Sequence, residues 1–377
     1  MLGGVSALVH PHDPTDLDRA FLEKRRLHLR SGQADVFARL LPWSLINAQV
    51  TLAGLHNGRL RLVRSGQDLP YETVVGRNKA GQMFLKTAAL HDQIGRGLSL
   101  ALNHLHHVSP RIAALVAAVE RRYRVRGGAN AYVSFQREGA LGPHWDNHDV
   151  IILQISGEKH WHCHGVRAVH PLVSRSYPTV AEEAGPVEWE DTLRPGDVLY
   201  IPRGDIHWAT VAEGGHSVHL TINLGGLRAR DMLRALAGRL EGGEDAFREE
   251  VMALADEAAT RRQLAVQADL LHGALEQPDV AALFTQLDAE REAFLPTNLG
   301  LDRLLSDATE IHPAARGPGP VPSRLPPDQR RVLTQLLATD GARLGELKRV
   351  LADMEGAVVA EAVAGLARAG QVWLFED

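Results

Sequence analysis

The chain has 377 residues, 45% hydrophobic and 23% charged, with a formal net charge of −5 at pH 7. These values indicate a globular protein of two or three domains, and the acidic balance argues against a nonspecific affinity for nucleic acid. The single cysteine, Cys163, excludes an internal disulfide framework and predicts a reducing compartment, by default the cytoplasm. The apolar run 2–9 has no basic segment before it, unlike a signal peptide, and no stretch approaches the roughly 20 apolar residues of a membrane span.

The first part of the chain, to about residue 120, mixes helical patterns with short strands. The alternation of apolar and basic residues in 59–64 predicts one half-buried strand. From residue 130 to residue 223, β-rich runs are separated by turn signals that include Gly139 and Gly142. Closely spaced strands of this kind predict a sandwich or a barrel.

The second part of the chain is predominantly helical. Residues 226–312 carry helical stripes such as Met232, Leu236 and Leu240, followed by Val251 and Leu254, and we predict a helical module there. The Pro- and Gly-rich segment 313–327 predicts a linker. Residues 328–377 show three helical patterns and a final strand, which is typical of a winged helix.

The segment around His144 and Asp146 carries the clearest chemical signal. Alternate residues of a strand point to the same face, so the imidazole and the carboxylate of this His-x-Asp pair can bind one ion. We predict that His207, which follows a strand and the Pro-x-Gly turn Pro202-Arg203-Gly204, is the third ligand. Two histidines and one carboxylate are typical of non-haem Fe(II) oxygenases, because the remaining positions can bind 2-oxoglutarate and dioxygen.

Two alternatives remain open at this stage. His219, on a later strand, is a competing third ligand. His160, His162 and His164 alternate along another predicted strand and could themselves hold zinc or copper, although a partly solvated face of a barrel strand, with Cys163 packed behind it, explains them more simply.

The β-rich region resembles the JmjC-type ribosomal oxygenases, a cupin branch that hydroxylates side chains of ribosomal proteins. The resemblance rests on several short motifs: Asn130-Ala131-Tyr132, His144-Trp145-Asp146, Gly157–Trp161, Tyr200–Gly204, Ile206-His207 and Ser217–Thr221. It implies an α+β chain with a double-stranded β-helix barrel in residues 1–225, a helical dimerisation module in 226–312, a linker in 313–327 and a winged-helix domain in 328–377.

The resemblance also implies roles for individual residues. His144, Asp146 and His207 match the metal ligands. Lys159 matches the basic residue that pairs with the distal carboxylate of 2-oxoglutarate, a role that suits the compact lysine ammonium. The other residues assigned to the co-substrate pocket are Asn130, Tyr132 and Thr221.

The resulting hypothesis is an oxygenase that uses Fe(II), 2-oxoglutarate and dioxygen to hydroxylate a side chain of a protein or peptide, ribosomal or other. We expect a homodimer, no membrane association and no direct action on nucleic acid. An N-methyl demethylase is the enzymatic alternative, and a non-catalytic cupin that regulates through its winged helix is the other. Two residues depart from the family pattern near the ligands, Ile151 and Trp208, and we expect them to reshape the substrate entrance.

Overall fold

The structure is a computed structural model, and it describes residues 4–53, 59–64, 66–135, 141–176, 184–250, 257–276, 278–289, 305–315 and 321–375. The predicted turn glycine Gly139, the predicted apolar positions Val251 and Leu254 and much of the Pro- and Gly-rich segment lie outside these residues. Contacts divide the chain into two units, the larger of which includes residues 4–226 and 321–375.

The amino-terminal half of the larger unit supplies a layer of helices. Two of them begin with a proline that follows an N-cap residue. The Asp13 carboxylate accepts a hydrogen bond from the Thr15 N–H at 2.8 Å, and the Ser109 hydroxyl accepts one from the Ile112 N–H at 3.4 Å. The helices are α1 (Gly4–Val9), α2 (Pro14–Glu23), α3 (Ala34–Leu40), α4 (Trp43–Ala53), α5 (Thr87–Gly95) and α6 (Pro110–Tyr123), with short 3-10 turns at Tyr71–Thr73 and Leu105–His107.

The described strands of this unit that precede residue 227 form two main sheets and one hairpin. They are β1 (Leu27–Arg30), β2 (Leu60–Arg64), β3 (Gln67–Asp68), β4 (Val75–Arg77), β5 (Met83–Leu85), β6 (Ser99–Leu102), β7 (Val125–Phe135), β8 (His144–Trp145), β9 (Asp149–Gly157), β10 (Lys159–Val166), β11 (Arg175–Ser176), β12 (Trp189–Leu193), β13 (Asp197–Ile201), β14 (Asp205–Thr210) and β15 (His216–Gly226). The larger sheet has the order β1-β13-β9-β15-β7-β6-β2-β3, and the smaller has the order β11-β8-β14-β10-β12.

Strand β9 shows why the central strands are apolar on both faces. Ile151 and Leu153 belong to the core beneath the helical layer, whereas Val150 and Ile152 belong to a second core between the two sheets. Strands buried on both faces have continuous rather than alternating apolar sequences. The two sheets thus enclose an interior, as the predicted barrel requires, and the predicted strand in 59–64 is present as β2.

The last helices of the larger unit surround a small sheet. They are α10 (Pro327–Thr339), α11 (Leu344–Val350) and α12 (Gly356–Arg368), and the sheet has the order β17-β16-β18, with β16 (Glu310–Pro313), β17 (Ala342–Arg343) and β18 (Val372–Phe375). Strand β16 lies where the predicted helical module meets the predicted linker, and no strand was predicted there. Its pairing with β18 assigns residues 310–313 to the C-terminal fold.

The C-terminal fold packs against helix α6 within the same unit. The small residues Ala113 and Ala117 share a buried cluster with Trp373. The Arg121 guanidinium donates to the Asp340 carboxylate at 2.8 Å, beside this apolar contact. The C-terminal fold and the sheets therefore form one unit.

The smaller unit is helical. Helix α7 (Ala229–Gly243) ends near a 3-10 turn at Asp245–Phe247, and α8 (Glu257–Glu276) and α9 (Val280–Ala289) follow. Leu236 of α7 packs with Leu283 and Leu287 of α9, whereas Leu233 is exposed. No helix among the described residues is both long and apolar enough to cross a membrane.

Candidate metal centre

His144, Asp146 and His207 converge on one point between the two sheets. Their potential ligand atoms all lie within 4.8 Å of one another. Strands β8 and β14 pair with His144 opposite His207, so the register of the sheet brings the two imidazoles together. We expected Asp146 to lie in the same strand as His144, but β8 ends at Trp145 and Asp146 follows it. Its carboxylate nevertheless approaches His207, with Oδ2 4.0 Å from Nε2.

The outer nitrogen of each imidazole already has a backbone partner. His207 Nδ1 lies 2.8 Å from the Asp205 carbonyl oxygen, and His144 Nδ1 lies 2.9 Å from the Gly142 carbonyl oxygen. A carbonyl can only accept, so Nδ1 carries the proton in both rings and Nε2 keeps a lone pair. This is the usual arrangement of metal-binding histidines, in which the outer N–H fixes the orientation of the ring.

The electrostatics favour the protonation states of metal ligands. Burial lowers the pKa of His207 to about 4, and the neighbouring His144 acts in the same direction. Burial alone would raise the pKa of Asp146, but the nearby histidines and a hydrogen bond from Ser174 lower it below its usual value. At neutral pH the cluster therefore presents a neutral His207 imidazole and an ionised Asp146 carboxylate.

The three side chains line a cavity of ≈ 480 Å³, its open mouth included. Lys159, Tyr132 and Thr221, which the sequence analysis assigned to the co-substrate pocket, line the same cavity. The remaining lining residues are mostly apolar: Leu141, Val150, Ile152, Trp161, Trp208, Ala209 and His219.

Lys159 is a buried cation in this cavity. Only 4% of the residue is exposed, and its Nζ lies 3.4 Å from the Ser134 hydroxyl oxygen. Among the described residues no carboxylate pairs with it, and burial lowers its pKa to about 7. A buried ammonium without a counter-charge is unfavourable, so the position suits an anionic ligand.

A family model described as the JmjC domain matches residues 102–232, the segment that contains the cluster and the cavity. The chain contains a JmjC domain. Its relatives include ribosomal oxygenase 1 of Gallus gallus (29% identical over 57% of this chain), ribosomal oxygenase 2 of Bos taurus (45% over 26%) and the bifunctional lysine-specific demethylase and histidyl-hydroxylase NO66 of Drosophila willistoni (24% over 58%). These matches cover 35%, 21% and 28% of the relatives, so the chain spans about a third or less of their length.

Solved structures of the ribosomal oxygenase YcfD from Escherichia coli share the fold. One of them, in complex with cobalt and succinic acid, has a TM-score of 0.53 and 17% identity, and the match covers 96% of this chain and 98% of that one. Another, in complex with cobalt and 2-oxoglutarate, has a TM-score of 0.51 and 16% identity over 95% and 98% of the two chains. The predicted resemblance to JmjC-type ribosomal oxygenases is thereby confirmed, and the fold is the JmjC cupin fold with mixed helices and sheets.

The structure separates two further predicted residues, His219 and Asn130, from the roles considered for them. His219, the competing third ligand, is stacked on Tyr132 with ring centroids 5.0 Å apart and is outside the cluster of His144 and Asp146. Asn130 is not among the lining residues of the cavity. Its side-chain oxygen instead accepts a hydrogen bond from the His104 N–H at 2.9 Å.

Sequence reasoning missed Ser134 and misjudged Ile151. Ser134 follows Tyr132 by two residues on β7, and this spacing is the signal that could have identified it as a neighbour of Lys159. Ile151 is fully buried beneath the helical layer, so the expectation that it shapes the substrate entrance is wrong. Trp208, the other departure from the family pattern, does line the cavity.

Proposed function

We propose that this chain is an Fe(II)- and 2-oxoglutarate-dependent oxygenase that hydroxylates a side chain of a protein, with ribosomal proteins as the first class of substrate to test. The observation that carries the proposal is the convergence of His144, Asp146 and His207 in a cavity that also contains the buried Lys159. The relatives named ribosomal oxygenase support the substrate class.

The donor set fits Fe(II). Two imidazole nitrogens and one carboxylate oxygen are the ligands of the facial arrangement that such oxygenases use, and three protein ligands leave positions for the reactants. When bound, Fe(II) and 2-oxoglutarate would supply the oxidising chemistry that inserts one oxygen atom of dioxygen into a C–H bond, with succinate and carbon dioxide as the other products. The backbone carbonyls of Gly142 and Asp205 keep both imidazoles oriented for this role.

The same cavity supplies groups for the co-substrate. In our proposal the Lys159 ammonium donates to the distal carboxylate of 2-oxoglutarate, and Tyr132 and Thr221 contribute hydroxyl groups. Burial raises the pKa of Tyr132 to about 12, so its hydroxyl keeps its proton and can donate a hydrogen bond. Asn130 lies outside the lining, but its side chain interacts with that of Tyr132, which lines the cavity. Apolar side chains, Val150 and Ile152 among them, form much of the wall around the reacting groups.

The remaining parts of the chain have proposed roles as well. We assign homodimerisation to the helices of 226–312, and we interpret the C-terminal helices and strands as a winged helix that contacts a protein. Its basic residues are largely paired: Lys348 Nζ lies 2.6 Å from an Asp307 carboxylate oxygen, and an Arg343 nitrogen lies 3.6 Å from a Glu310 carboxylate oxygen. Paired charges favour protein contact over nucleic-acid binding. The cytoplasmic location remains a prediction from the single cysteine.

The proposal is tested by measuring succinate formed from 2-oxoglutarate with Fe(II), ascorbate and oxygen, in the presence and absence of a ribosomal-protein extract. Extract-stimulated succinate should disappear in His144→Ala and persist in His91→Ala, which changes an exposed histidine of α5. If Fe(II) and 2-oxoglutarate bind but no extract stimulates turnover, the proposal fails and the non-catalytic regulator becomes the better hypothesis.

Lysine demethylation is the second candidate, because the Drosophila willistoni relative is named for both activities. Mass spectrometry of the extract separates the two reactions. Hydroxylation adds one oxygen atom to a peptide, whereas demethylation removes a methyl group and releases formaldehyde.

A further inference from the structure

A second group of potential metal ligands lies on strands β10 and β12. We call His160, His162 and Glu190 the outer cluster. His160 and His162 are two residues apart on β10, and Glu190 of β12 is the cross-strand partner of His162. The register of two neighbouring strands therefore determines the cluster, rather than a chance approach of surface side chains.

The outer cluster is separate from the catalytic cavity. Lys159 and Trp161 of β10 line that cavity, and the intervening residues of a strand point to the opposite face. His160 and His162 do not line it, and neither does Glu190. A ligand bound by the outer cluster would therefore not occupy the predicted iron site.

The distances suit a transition-metal ion. Glu190 Oε2 lies 3.4 Å from His162 Nε2 and 3.8 Å from His160 Nε2, and the possible ligand atoms all fall within 4.8 Å. Atoms bound to a tetrahedral Zn²⁺ at about 2.0–2.1 Å lie about 3.3 Å from one another. A small adjustment of the exposed Glu190 side chain would bring its carboxylate oxygen to this distance from both Nε2 atoms.

The rings are held in position from behind. His160 Nδ1 lies 2.9 Å from the Thr192 hydroxyl oxygen, which can accept a hydrogen bond from Nδ1–H. The lone pair of the ring is then on Nε2, the nitrogen nearer Glu190. The His162 ring stacks on Trp208, with centroids 4.0 Å apart and planes 4° from parallel. These supports hold both Nε2 atoms near the carboxylate before an ion arrives.

A third histidine group, His104, His106 and His107, is close enough to hold an ion, but the hydrogen bonding of His106 opposes metal binding. The backbone N–H of Ala129 donates to His106 Nδ1 at 3.0 Å. A neutral His106 must then carry its proton on Nε2, so that nitrogen cannot bind a metal. Among the described residues, no backbone N–H donates to a ring nitrogen of the outer cluster, although His162 Nδ1 is buried without a hydrogen-bond partner.

We propose that the outer cluster binds a divalent transition-metal ion of the zinc class through His160, His162 and Glu190, with water completing the coordination. Such an ion would link β10 to β12 and hold the His162 ring on Trp208, the residue that follows His207. This proposal is independent of the proposed oxygenase function.

The test uses the full chain with the catalytic cluster disabled by His144→Ala and Asp146→Ala. After equilibrium dialysis against Zn²⁺, this background should retain one zinc ion per chain and unfold at a higher temperature than the same protein treated with a chelator. Adding Glu190→Gln, an exposed change that leaves the fold intact, should weaken zinc binding by about tenfold or more, because even the loss of a residue that only orients a ligand costs this much.

Matched variants decide between this cluster and other histidines. His104→Ala with His107→Ala should leave zinc binding unchanged. Absence of zinc from the background protein would overturn the proposal. So would undiminished binding in the Glu190→Gln and His160→Gln variants, or loss of the ion in the His104/His107 variant.

Discussion

Replacement of Lys159 with methionine tests the assignment of the co-substrate pocket most directly. Methionine is similar in length but uncharged, so the change removes a buried ammonium while largely keeping the packing. The lysine has 4% exposure and its nearest described polar partner is the Ser134 hydroxyl at 3.4 Å. We expect the variant to be more stable than the wild type without ligand and to bind 2-oxoglutarate more weakly.

The gain in stability depends on pH. Burial lowers the pKa of Lys159 from 10.5 to about 7. At about 1.4 kcal/mol per pKa unit, this difference is a ceiling of about 5 kcal/mol, and a gain of roughly 2–4 kcal/mol is realistic below pH 7. Between pH 7 and 10.5 the unfolded chain still holds a proton that the folded protein has released, so wild-type stability rises with pH and the advantage of Lys159→Met disappears.

The loss of affinity is estimated from the missing ion contact. A hydrogen bond to a charged group contributes about 1.5–3 kcal/mol, which corresponds to a roughly 10- to 150-fold weaker affinity for 2-oxoglutarate. Above pH 7 the wild-type lysine must take up a proton to bind the carboxylate. Wild-type affinity should therefore fall with rising pH in this range, whereas the affinity of Lys159→Met should not.

The assays are urea denaturation of the ligand-free protein at pH 6 and pH 9, and calorimetric titration with 2-oxoglutarate in two buffers of different ionisation enthalpy. Lys79→Met, which removes an exposed lysine, is the matched control and should change neither quantity. Unchanged 2-oxoglutarate affinity in Lys159→Met would refute the pocket assignment. A variant less stable than the wild type at pH 6 would refute the reasoning about the buried charge.

Three further predictions follow from other contacts. Asp146→Ala should abolish 2-oxoglutarate turnover while circular dichroism shows an intact fold, and wild-type turnover would remove Asp146 from the site. Asp149→Ala removes a buried carboxylate that pairs with Lys24 at 2.5 Å. Urea denaturation should show that the free energy of unfolding falls by about 2–4 kcal/mol. A fall no larger than that caused by Lys24→Met would contradict this expectation. Asp340→Ala removes the partner of Arg121 and places alanine at a φ of 55°. Thermal unfolding should show a loss of stability of about 1–3 kcal/mol, and Asp340→Asn should lose less. An unchanged Tm in the alanine variant would contradict this prediction.

The sequence by itself determined the chemical identity of the candidate site and most of its strands. The apolar run of β9 depends on local periodicity, which is visible without any tertiary contact. The His-x-Asp motif identified His144 and Asp146 as ligands, although Asp146 lies just beyond the end of β8. Motif resemblance then identified Lys159 as a pocket residue. The same local patterns indicated the helices of the smaller unit and of the C-terminal fold.

Only the tertiary structure decided which distant residues meet. Strand register brings His207 rather than His219 to His144, and it brings Glu190 to His162. Strand β16 belongs to the C-terminal fold because it pairs with β18. The two strands are more than 50 residues apart in sequence, so no local pattern encodes this pairing. Register depends on the packing of whole sheets, so the residues that share an ion or a pocket cannot be read from spacing alone.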